Sequence, residues 1–189
     1  MARVPYLTAE TVNDPGGHLN GFTGWDRSNL LRARANSPAA LAATMQQARW
    51  IRELLTLPPR YRELAILQVG YSTQTLYEWA HHIEIGLANG LSEADIHAIA
   101  LESADAPTHL DEIDRIVLRA AREMTRDLTI SDSTFDGLRR HLTAAQIVDL
   151  VGLIAFYNGG VRVMRALQID LEPRFSGFIE RFPFDSQAS

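Results

Sequence analysis

Apolar positions recur three and four residues apart along most of this chain, and the pattern reads as a succession of helices. Behind Ser37-Pro38, an N-cap followed by proline at the first helical position, come Leu41, Met45, Ala48, Ile51 and Leu55. Pro58-Pro59 stops that run, and a second helix is expected from Arg60 to about Tyr71. A break follows near Gly70-Tyr71-Ser72-Thr73, with Ser72 or Thr73 available as an N-cap. The next helix runs from about Thr75 to Asn89 and ends at Gly90, a natural left-handed terminator. Ser92-Glu93-Ala94-Asp95 opens a short helix to about Glu102. After Pro107, one apolar stripe joins Leu110, Ile113, Val117, Ala120, Ala121, Met124 and Leu128. A short helix is expected near Ser133 to His141. Thr143-Ala144-Ala145-Gln146 is a capping box that opens the last long helix, to about Leu167. No stretch alternates with period two, so the fold class is all-α.

Three segments follow from this pattern. Residues 1–36 are expected to be an irregular arm, with turn signals at Asp14-Pro15-Gly16-Gly17 and Asn20-Gly21. The glycine spacing there fits no phosphate-binding loop. His18, Phe22 and Trp25 are costly to leave in water, which would suit a segment covering a pocket or reaching a neighbouring subunit. Residues 37–172 form the helical domain. Residues 173–189 are a tail rich in aromatics (Phe175, Phe178, Phe182, Phe184) but punctuated by prolines.

Composition narrows the chemistry. The net charge of −5 argues against a nucleic-acid partner, since phosphate binding needs a basic face. No uninterrupted apolar run reaches the length of a membrane span, and Met1-Ala2-Arg3-Val4-Pro5 does not resemble a signal peptide, so a cytoplasmic protein is expected. The chain has no cysteine, which excludes disulfides, thiolate nucleophiles and cysteine-based zinc sites. It also has no lysine, which removes Schiff-base catalysis and covalent pyridoxal phosphate. What remains for an enzyme is His, carboxylates, Tyr, Ser/Thr, Arg, a metal or a bound cofactor.

The segment Tyr77-Glu78-Trp79-Ala80-His81-His82 is the most informative. Leu76, Ala80, Ile83 and Leu87 share one helix face, and Glu78 and His82 sit one turn apart on the opposite face. Few charges lie opposite the core stripe, so this helix is expected inside the domain or at a subunit interface. A Glu and a His in apolar surroundings can share a proton, as general acid–base chemistry requires. The same spacing also serves as an ordinary helix pair, or as two ligands of a metal ion that lacks a third. Glu63, in the first turn after the prolines, suits the helix dipole and has Arg60 or Arg62 as possible partners.

Arg62-Glu63-Leu64-Ala65-Ile66-Leu67, then Tyr77-Glu78-Trp79-Ala80-His81-His82, then Gly86-Leu87-Ala88-Asn89-Gly90-Leu91-Ser92 closely resemble the carboxymuconolactone decarboxylase family, within the alkylhydroperoxidase-like group. The strong match covers roughly residues 60 to 100. A weaker one includes Phe156-Tyr157-Asn158. The resemblance implies an alkylhydroperoxidase-like helical bundle in which two antiparallel helices bring Glu63 towards Glu78 and His82. In the peroxidase branch the paired cysteines fall at Thr75 and Glu78, so peroxide reduction through a thiol cannot operate here.

The family's name reaction removes CO2 from a carboxylated lactone and returns a proton to carbon, with no cofactor. By the resemblance, His82 is the proton donor or shuttle, Glu78 its partner, and Glu63 a second carboxyl that orients or protonates. Thr75, Trp79, Tyr71 and Arg162 are the candidate substrate-binding residues, Arg162 as counter-charge to an anionic organic acid or lactone. The resemblance also implies a homo-oligomer, a trimer or hexamer. A non-catalytic binding or assembly protein on the same fold is the alternative, and a metal-assisted hydrolase or lyase is a third class.

Overall fold

The structure is a computed structural model that describes residues 2–184, and the chain divides into two compact units. The first comprises the chain up to Leu55 together with Val163–Pro173; the second comprises Thr56–Arg162 and the segment from Arg174 onward. Met1 and the last five residues of the tail lie outside the described residues.

In the first unit, α1 (Asn29–Arg34) and α2 (Pro38–Arg49) follow a 3-10 turn at Trp25–Arg27. Trp25, Ala35, Leu41 and Met45 form a small core, against which Leu7, Val12, Leu19, Phe22 and Leu31 pack. The N-terminal segment has little regular structure, and its scattered apolar side chains hold it in place. Hydrogen bonds add to this: the Arg3 amide donates to the Leu167 carbonyl at 2.9 Å, and the Tyr6 hydroxyl donates to Asp170 at 3.1 Å.

The second unit contains α3 (Pro59–Ser72), α4 (Leu76–Ala88), α5 (Glu93–Ser103), α6 (Glu112–Arg126), α7 (Asp132–His141), most of α8 (Ala144–Leu167) and α9 (Ser176–Arg181). Among the described residues there is no strand. Several boundaries are set by caps visible in the sequence. Ser92 and Asp95 form a reciprocal capping box at α5, and Thr143 and Gln146 exchange the same two bonds at α8. The break after α3 is narrower than the glycine suggests: the helix continues through Gly70 to Ser72, and Thr75 stands at the N-cap position of α4.

α3 is the central helix, buried from Glu63 through Tyr71, as expected of a helix surrounded by others. Burying each of Leu64, Ile66 and Leu67 contributes about 1.5–3 kcal/mol relative to exposure. α3 and α4 form an antiparallel hairpin: Gly70 lies by Trp79, Glu63 by His82 and Arg62 by Asn89, in opposite order along the two helices. A methyl group on Gly70 would lie 3.3 Å from the Trp79 backbone nitrogen, so the missing side chain lets the hairpin close. The expected core stripe of α4 holds at Ala80 and Ile83, but Leu76 is 46% exposed because it sits at the first residue of the helix.

Arg60 ties three helices together. Its guanidinium reaches Asp114 of α6 at 2.7 Å and Asp95 of α5 at 3.0 Å. Burial opposes ionisation of Asp95, but Arg60, the Ser92 amide and His109 outweigh it and hold this carboxyl well below the usual range. Arg60→Ala is expected to cost about 2 kcal/mol in urea unfolding, a value reduced because the guanidinium is partly in water. α8 has the length and hydropathy of a membrane span, yet it buries Leu150, Leu153 and Ile154, as a core helix does.

Candidate active site

The α3–α4 hairpin brings Glu63, Glu78 and His82 into one cluster. Their residue exposures are 1%, 3% and 9%. His82 Nδ1 lies 2.8 Å from Glu63 Oε2, and its Nε2 lies 3.0 Å from Glu78 Oε1. A neutral imidazole has one N–H and could satisfy only one of these acceptors. With a carboxylate at each nitrogen, the ring is an imidazolium that donates from both.

The electrostatics agree. Burial alone would disfavour the charged ring, but the Glu78 and Glu63 carboxylates outweigh it and push the His82 pKa up to about 10. Burial likewise works against ionised Glu63, and His82 and Arg62 together hold it below its ordinary value. Glu63 Oε1 accepts from Arg62 Nε–H at 2.8 Å while Oε2 faces His82, so both oxygens are fixed. Arg62 is steadied in turn by Asn89 Oδ1 at 3.3 Å, at the end of α4. Arg62, Glu63, His82 and Glu78 carry formal charges that cancel.

Tyr157 of α8 completes the surroundings, its ring 5.1 Å from the imidazole and nearly perpendicular to it. The sequence offered no direct sign of this neighbour beyond the weaker matching stretch in which it lies. Arg62 was one of two possible partners for Glu63, and the structure selects it; Arg60 is committed to Asp95 and Asp114.

The candidate substrate-binding residues are dispersed. Thr75 is buried one turn before Glu78, its hydroxyl 3.0 Å from that of Thr73. Trp79 Nε1–H donates to the Phe182 carbonyl at 2.8 Å, and its ring leans against Tyr71. Tyr71 and Trp79 line a hollow to which Glu63, Glu78 and His82 do not contribute. Arg162 is exposed, and its guanidinium folds back along α8 to the Asn158 carbonyl at 2.6 Å. Among the described residues no group of three His, Asp or Glu is arranged to hold a metal ion.

The all-helical fold is of the alkylhydroperoxidase-like kind, as its similarity to solved structures shows. The sequence profile described as the Carboxymuconolactone decarboxylase family matches residues 35–123. The structure is similar to that of a cysteine-to-alanine variant of the debrominase Bmp8 in complex with 2,3,4-tribromopyrrole. The TM-score is 0.78 and the identity 15%, over 96% of this chain and 98% of that one. It is also similar to ATU0492 from Agrobacterium tumefaciens, a protein of unknown function described as a putative antioxidant defence protein AhpD. There the TM-score is 0.65 and the identity 23%, over 72% of this chain and 93% of that one. At these identities the likeness is one of fold. No curated protein matches the chain.

Proposed function

We propose that this protein is a cofactor-independent lyase or isomerase of the carboxymuconolactone decarboxylase type, acting by proton transfer on a small carboxylated or lactone-like compound. The observation that carries this reading is the buried imidazolium of His82 held between two carboxylates. In decarboxylation the C–C bond to the carboxylate breaks, CO2 leaves, and the electron pair is delocalised into the conjugated lactone. A proton then returns to carbon. His82 supplies that proton from Nε2, the nitrogen it shares with Glu78. Glu78 gives way to the substrate anion and afterwards helps reprotonate the ring. Glu63, fixed by Arg62, orients the imidazole and stays ionised. Poor hydration strengthens each of these interactions. The debrominase relative crystallised with a bromopyrrole supports the reading that this fold can take a small ring compound.

The mutual pairing of Glu63, His82 and Glu78 favours the alternative, a purely structural ion network in a binding or assembly protein. Carboxymuconolactone and related carboxylated lactones, assayed in deuterated water for CO2 release and carbon-bound deuterium, separate the two. Glu78→Gln is expected to lower kcat/KM about 100-fold, the usual scale for losing a positioned acid–base partner. In the wild type, kcat/KM should fall as the pH approaches the His82 value of about 10, because the protonated ring is the active form. No turnover of these compounds, or equal turnover by Glu78→Gln, defeats the catalytic reading.

Assembly as a homo-oligomer belongs to the same proposal. Phe135, Leu142, Ile147 and the 70%-exposed Val148 line an apolar hollow on the α7–α8 side, a surface that self-association would cover. Sedimentation equilibrium should then report a trimer or hexamer, and a monomer at micromolar concentration would refute this part.

A further inference from the structure

The helix that carries His82 also contributes to a second feature that the proposed chemistry does not use. Trp79 of α4, Tyr71 of α3 and Ile96 and His97 of α5 surround a hollow of about 270 Å³, closed on one side by Phe182 and Pro183. Its walls are largely rings: Tyr71 and Trp79 have centroids 5.6 Å apart, and His97 lies 4.9 Å from Phe182. The C-terminal wall is anchored. Arg174 pairs with Glu84, Arg181 pairs with Glu93, and Phe175 packs 3.9 Å from His81.

The polar groups of the walls limit what fits. The Trp79 N–H is already satisfied by the Phe182 carbonyl. The exposed His97 ring has no hydrogen bond among the described residues, which makes it a polar handle at the rim. Apolar cavities of about 150 Å³ accommodate benzene, so this one has room for a ring with a substituent. Aromatic walls favour a planar partner in tilted or offset contact.

We propose that this hollow binds a neutral single-ring aromatic molecule with one hydrogen-bonding substituent, the ring against Tyr71 and Trp79 and the substituent on His97. None of Glu63, Glu78 or His82 lines the hollow, so this site does not depend on the catalytic reading.

Phenol is the probe, titrated into the full chain while the Trp79 indole N–H is followed by proton–nitrogen correlation spectra, assigned with Trp79→Phe. A saturable shift in the low-millimolar range is expected for so small a ligand. Cyclohexanol, of similar size but not planar, should bind at least about threefold more weakly. Ala100→Phe, which fills the hollow from α5, should weaken phenol about tenfold. His97→Leu should weaken phenol about threefold and leave toluene unaffected. It decides the matter if Ala100→Phe fails to fold. Glu78→Gln should bind phenol as the wild type does, which separates this site from the catalytic one. An unsaturated response up to about 20 mM phenol, on the scale of fragment affinities, overturns the assignment. So does equal binding of cyclohexanol, or of phenol by both filled and His97→Leu variants.

Discussion

Replacing His82 with alanine is expected to lower the unfolding free energy by about 3–5 kcal/mol at pH 7, the scale for removing one member of a buried ion cluster. The substitution takes away the cation that lies 2.8 Å from Glu63 and 3.0 Å from Glu78. Glu63 keeps Arg62 as a partner, whereas Glu78, 3% exposed, loses the partner facing Oε1. Such a loss is a large fraction of the 5–15 kcal/mol typical of a domain. Adding Glu78→Gln to His82→Ala should recover about 1–2 kcal/mol, since the second change removes the charge the first one stranded. Urea denaturation of the three proteins at pH 7 measures this. A deficit below about 1 kcal/mol would mean that the cluster is not a coupled ion network.

The second large effect is the alkaline decline of wild-type stability. His82 titrates near 10 in the folded chain against an ordinary value of 6.5. A raised folded value means that the contribution is fully present below about pH 6.5 and is lost as the pH rises to about 10. The difference corresponds to a loss on the order of 4 kcal/mol across that interval. Glu63 works in the opposite direction: its depressed value adds stability above about pH 4.5 that disappears as acid protonates it. The cluster therefore contributes most between about pH 4.5 and 6.5. In Glu78→Gln the alkaline decline should begin at lower pH, because the Glu78 charge is the strongest influence raising the ring. Unfolding curves at pH 6.5, 8 and 9.5, with His82→Ala as reference, give the slope. A flat wild-type profile is incompatible with a charged ring at neutral pH.

The helices were legible because their signals are local. The Ser92 and Thr143 capping boxes, Pro59 at the start of α3 and Gly90 after α4 each act within a few residues. The Glu78–His82 pair was legible for the same reason, since one helical turn sets its spacing. Glu63 lies 19 residues from His82 in sequence, and only the family resemblance suggested that they meet. Arg62 follows no periodic rule: adjacent residues on a helix point apart, and its length lets the guanidinium return to Glu63. Leu76 obeyed the stripe by position yet is half exposed, because it stands at the first residue of α4.

The sequence by itself determined an all-helical chain without cysteine or lysine, and therefore which reactions are open to it. It also placed a carboxylate and an imidazole one turn apart on an apolar helix. Tertiary structure decided the charge of that imidazole, because protonation depends on how many carboxylates surround the ring and how little water does. It also directed Tyr71 and Trp79 to a separate hollow walled by Phe182, a contact spanning about a hundred residues that no local pattern encodes.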